Sequence, residues 1–100
     1  MKPTDAIRGK EGDIRCLIEA YGFVQLKLFG SAARGDDHEG SHLDLLATIP
    51  PAMAGKISLF DIAELEDELQ AMLGVPVDLH VHNNMPEHLR PSIEREMVTL

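Results

Sequence analysis

The clearest alternation in the chain runs from Ser41 to Ile49. Leu43, Leu45, Ala47 and Ile49 fall on one face of an extended strand, and His42, Asp44 and Leu46 fall on the other. The same period returns at Val77 to Val81, where Val77, Leu79 and Val81 point one way while Asp78, His80 and the following His82 point the other. An earlier strand is predicted at Val24 to Phe29. Helical spacing takes over elsewhere. Ile14, Leu17, Ile18 and Tyr21 form an apolar stripe on a first helix that ends at Gly22, its first half weakened by Gly9 and Gly12. Ser58 and Asp61 form a capping box, and Ile62, Leu65, Leu69 and Leu73 mark the buried side of a helix stopped by Gly74. Pro50-Pro51 ends the second strand, and Pro91 begins or kinks a last helix. The pattern predicts an α/β (α+β) fold over one domain, residues 1–100: a small mixed β-sheet with helices packed on one face and polar residues on the other. If the second and third strands are neighbours, Asp44 and Asp78 stand side by side.

The first strand runs into Gly30-Ser31, and the turn there has the means to grip an anion. Glycine lets backbone N–H groups approach closely, Ala32-Ala33-Arg34 continues as a short helical piece, and Arg34 adds a guanidinium. Ser31 either contacts phosphate or caps the short helix, and Arg34 either binds phosphate or pairs with Asp36 or Asp37. Lys27 projects toward the same face if the first strand keeps register. That face carries His42, Asp44, Asp78 and His80, a mixed nitrogen and oxygen set. Such a set suits zinc, nickel or manganese better than magnesium, unless the histidines are only polar residues on a solvated sheet face.

Gly30-Ser31, ten further residues and then His42-Leu43-Asp44, with Asp78 on a later strand, resembles the nucleotidyltransferases of the polymerase-beta superfamily. Within them the chain is similar to the minimal nucleotidyltransferase (MNT) proteins, whose signature is Gly-Ser, a ten-residue spacer, Asp-x-Asp and a third Asp. Asp44 and Asp78 match the second and third carboxylates, and His42 stands at the first. The resemblance implies a polymerase-beta-like nucleotidyltransferase fold, catalytic and metal-binding roles for Asp44 and Asp78, and Gly30, Ser31 and Arg34 at the phosphates of ATP. It also implies magnesium or manganese as cofactor, and an imidazole at position 42 is a poor ligand for magnesium. The implied partner is a HEPN-domain toxin, or another helical protein, neutralised by transfer of AMP to a tyrosine.

Composition narrows the partners. Seventeen Asp and Glu against nine Lys and Arg give a net charge of −8, which works against general nucleic-acid binding. No run reaches the length of a membrane span and the N-terminus lacks the order of a secretory signal, so a cytoplasmic location is expected. Cys16, the single cysteine, is expected to be buried on its helix. The acidic residues Asp61, Glu64, Glu66, Asp67 and Glu68 read as a solvated helix face, and Leu89, Ile93 and Met97 as a core-facing stripe or, failing that, a surface for a homodimer or a partner. Two functions stand at this stage. One is transfer of a nucleoside monophosphate to a protein hydroxyl; the other is a binding protein, impaired in catalysis by His42, that masks a partner or holds nucleotide or metal.

Overall fold

A computed structural model describes residues 1–100. Its sheet is built from β1 (Val24–Phe29), β2 (Leu43–Thr48), β3 (Val77–Val81) and β4 (Val98–Thr99), in the spatial order β3-β2-β1-β4. β1 pairs antiparallel with both β2 and β4, whereas β2 and β3 are parallel and are joined through α4 (Leu59–Leu73). A parallel pair needs such a crossover, because its strand ends lie at opposite edges of the layer. The remaining helices are α1 (Pro3–Ile7), α2 (Glu11–Ala20), α3 (Gly30–Arg34) and α5 (Arg90–Glu96).

The apolar face of the sheet packs under α2 and α4. Leu43, Leu45 and Ala47 of β2 are fully buried against Ile14 and Ile18 of α2 and Leu65 and Leu69 of α4, within one continuous core cluster. A bulge keeps β1 in phase with this core. Its register slips between Val24 and Lys27, with Gln25 at φ 56°, so that Leu26 and Leu28 stay buried while Lys27 and Phe29 turn to the opposite face. The capping box at α4 forms as its sequence predicts: the Asp61 N–H donates to Ser58 Oγ, and the Ser58 N–H donates to Asp61 Oδ2 at 2.8 Å.

Several expectations are corrected. The first helix divides into α1 and α2, since Gly9 at φ +79° takes the left-handed backbone that breaks a helix. β2 stops at Thr48 instead of Ile49; the Asn83 side chain pins Ile49 by accepting from its N–H at 2.8 Å and donating to its carbonyl at 3.1 Å. Cys16 is exposed, because it lies two residues from both Ile14 and Ile18 and so points away from their stripe. No residue of α5 is buried, so Leu89 and Ile93 are not core. The acidic face of α4 is only partly solvated. Glu66 accepts the Leu79 N–H at 2.8 Å and Gln70 accepts the Val77 N–H at 3.0 Å, which closes the open edge of β3. Glu68 accepts the Tyr21 hydroxyl at 2.9 Å; burial, then that bond and the surrounding carboxylates, push the phenol up to about 12. No helix is long and apolar enough to cross a membrane.

Candidate active site

Pairing across three strands sets Phe29, Asp44 and Asp78 in one row on the face away from the core, and the next row on that face holds Lys27, Leu46 and His80. Asp44 and Asp78 are direct partners, as the strand alternation predicts. Leu46 is only 1% exposed although it lies on this side, so a buried apolar residue stands between Lys27 and His80 in the second row. Lys27 does point to this face, where its ammonium donates to Thr99 Oγ1 at 2.8 Å.

The end of β1 folds directly over Asp44. Gly30 has φ +73°, and a Cβ there would lie 2.3 Å from Asp44 Oδ2. No other residue fits the position without moving the carboxylate. Enclosed in this way, the Asp44 side chain is 25% exposed. Burial chiefly holds its carboxyl above the usual range, His80 and His42 pull it back, and the negative charge of Asp78 adds to the rise.

Two imidazoles flank the carboxylates. His42 Nδ1 lies 2.9 Å from Asp78 Oδ2, and since a carboxylate only accepts, this nitrogen carries the proton and donates. His80 Nε2 lies 3.7 Å from Asp44 Oδ1, and its ring meets Phe29 edge-on at 5.0 Å between centroids. Donor atoms of Asp44, Asp78 and His80 all fall within 4.8 Å of one another. His42 belongs to the same face, but it sits against the outer side of Asp78 and is not part of that triplet.

The turn after β1 forms α3, whose N-cap position is Phe29 with no side-chain cap, so the Ser31 hydroxyl does not serve as one. Arg34 ion-pairs with Asp36 at 3.2 Å and, unforeseen from sequence, with Glu96 of α5 at 3.2 Å. Asp37 is elsewhere: its carboxylate accepts the Thr4 N–H at 2.8 Å and the Thr4 hydroxyl at 3.0 Å, capping α1 from the loop that leads into β2. An apolar cleft of about 400 Å³, also not legible in the sequence, opens beside His80 along β3, walled by Phe29, Leu59, Ile62, Met85, Leu89 and Ile93. No local pattern signals it, because its walls come from four separated stretches of chain.

The profile of the family described as nucleotidyltransferase domain matches residues 14–100. The chain is similar to protein adenylyltransferase MntA of Thermococcus cleftensis, with 33% identity over 82 residues that cover 82% of this chain and 79% of that protein. It is also similar to a solved minimal nucleotidyltransferase, at 32% identity and a TM-score of 0.82 over 97% of this chain and 95% of the other. A chain from the complex of the tri-AMPylated Shewanella oneidensis HEPN toxin with its MNT antitoxin shares the fold at a TM-score of 0.69 and 18% identity, over 92% of this chain and 69% of that one.

Proposed function

Because the chain belongs to the nucleotidyltransferase domain family, we propose that it transfers AMP from ATP to a hydroxyl of a partner protein, as the antitoxin of a pair whose toxin carries a HEPN domain. The observation that supports this reading is the Gly30 turn laid over Asp44, with Asp78 paired beside it on the neighbouring strand. In the transfer, the acceptor oxygen attacks the α-phosphorus, a new P–O bond forms, the bond to the bridging oxygen breaks and pyrophosphate leaves. Gly30 and Ser31 hold phosphate oxygens. Arg34 exchanges Asp36 and Glu96 for phosphate, an exchange open to an exposed guanidinium whose surface ion pairs are weak. Asp78, its side chain 47% exposed against 25% for Asp44, takes the acceptor's proton, with His42 holding it in place.

The apolar cleft beside His80 supports a protein acceptor, since Leu59 and Leu89 on its rim are 81% and 44% exposed. A cytoplasmic location belongs to the same reading, since the proposed donor is ATP. Magnesium takes oxygen ligands in near-octahedral geometry, so of the donors in this cluster the two carboxylates suit it and the His80 imidazole does not. No part of the step above is assigned to magnesium.

One observation favours the binding reading: the bond from His42 to Asp78 occupies a carboxylate oxygen that a reacting site would leave open. Transfer of radiolabelled AMP from ATP to a HEPN-domain toxin separates the two. Labelling by the chain as it stands, lost in Asp44→Asn, supports transfer. Labelling only by His42→Asp makes the natural chain a binding protein on an intact scaffold, and labelling by neither rejects the enzyme reading for this acceptor.

A further inference from the structure

The imidazole among the donors of this cluster belongs to this chain's own His80, and it suits an ion other than magnesium. Asp44 and Asp78 present carboxylate oxygens from paired positions on β2 and β3. His80, two residues beyond Asp78 on the same face, brings Nε2 to 3.7 Å from Asp44 Oδ1. The three donor atoms lie within 4.8 Å of one another, whereas ligands at about 2.0–2.2 Å from a tetrahedral ion stand ~3.3–3.6 Å apart, so closing on an ion takes a movement of up to about 1 Å by these side chains. His42 completes the arrangement from outside. Its Nδ1–H donates to Asp78 Oδ2 at 2.9 Å, fixing that carboxylate in the way that hydrogen-bonded partners orient metal ligands.

We infer that Asp44, Asp78 and His80 form a binding site for a single nitrogen-accepting divalent ion of the zinc and cobalt class, with His42 as the residue that positions Asp78. Imidazole is a good ligand for those ions and a poor one for magnesium, and the ordering of divalent affinities runs the same way. Phe29 meets the His80 ring edge-on at 5.0 Å between centroids, next to the carboxylates. The inference concerns the same site as the adenylyl-transfer reading, but it is read out without nucleotide or acceptor, so either can fail alone.

The test is calorimetric titration of the metal-free chain with zinc chloride and, separately, with magnesium chloride, together with ¹H–¹⁵N spectra of the histidine rings. Zinc is expected to bind one equivalent at least about 100-fold more tightly than magnesium and to shift the His80 ring nitrogens. His80→Ala should weaken zinc by about 100-fold or more while changing magnesium by less than about threefold, and His42→Ala should weaken zinc by about 10-fold, the scale of an outer partner. Circular dichroism of each variant verifies the fold, and the ring spectra of the unaltered chain test the site without any substitution. The inference is overturned if magnesium binds as tightly as zinc, if zinc leaves the His80 ring unshifted, or if folded His80→Ala retains full zinc affinity.

Discussion

On the core face of the sheet Leu28, Leu45 and Leu79 stand in one cross-strand row, exposed by 6%, 0% and 7%. One residue along each strand, the opposite face carries Phe29, Asp44 and Asp78 in the same register, with side-chain exposures of 25% and 47% at the two carboxylates. The backbone of the two rows is shared; the surroundings are not. α2 and α4 cover the first, and the second meets the Gly30 turn and two imidazoles. Stability therefore resides on one side of a few strands and chemistry on the other, and a substitution on one face should read out in a different measurement from its neighbour on the other.

The largest effect on folding is expected on the core row. Leu45→Ala removes a fully buried side chain from a central strand and should cost about 2–5 kcal/mol in urea unfolding, with the slope of the transition unchanged. A loss below about 1 kcal/mol would mean that the core relaxes around the cavity and that the two faces are less distinct than their burial indicates. Next comes Gly30→Ala, where the two faces meet. The new Cβ conflicts with Asp44 Oδ2 and with the left-handed backbone at once. A stability loss of about 1–3 kcal/mol is expected, and adenylyl transfer should fall by about 100-fold, since the carboxylate must move. Wild-type transfer in a folded Gly30→Ala protein would separate the turn from the site.

Both faces were legible because strand side chains alternate with a period of two. That rule alone assigned Leu43, Leu45 and Ala47 to the core and placed Asp44 beside Asp78 once the strands were neighbours. Gly30 and the Ser58 capping box were legible for a similar reason, as each is decided by residues close in sequence. What the sequence hid depends on distant partners. Glu66 looks like one more acid on a solvated helix until β3 is docked and offers the Leu79 N–H, and Glu96 is ordinary until α5 brings it to Arg34. The two residues of β4 carry too little alternation to declare a strand. The stripe on α5 was misread because a helix with apolar residues at four-residue spacing lines an open cleft as readily as a closed core.

A smaller effect belongs to the loop that carries the site to β2. Burial alone would raise the Asp37 carboxyl, but the hydrogen bonds from the Thr4 N–H and hydroxyl outweigh it and hold the group below its ordinary value of 3.8. A carboxylate lowered by folding stabilises the protein above that value, and the contribution is lost as pH falls through the folded-state pKa. Asp37→Ala should therefore cost about 1 kcal/mol at pH 7, as the loss of a helix cap does, and the difference from the unaltered chain should shrink as the pH falls below the ordinary value of 3.8. A gap that persists unchanged in acid would assign the effect to lost packing instead of the charged cap.

The smallest effect on folding, and the sharpest contrast with Leu45, is expected at Asp44. Its partly buried charge is opposed by burial and by Asp78, so the fold holds it at a cost that His80 and His42 offset only in part. Asp44→Asn keeps the shape, removes that charge and leaves the Gly30 turn its neighbour. Thermal unfolding at pH 7 should accordingly show a Tm no lower than that of the unaltered chain, whereas adenylyl transfer and zinc affinity both disappear. Sites that trade stability for chemistry have this signature, in which the functional side chain is the one the fold would be better without. A clear drop in Tm would instead make Asp44 a structural residue, its carboxylate needed to hold the Gly30 turn and the His80 ring, and the division of labour between the two faces would no longer stand.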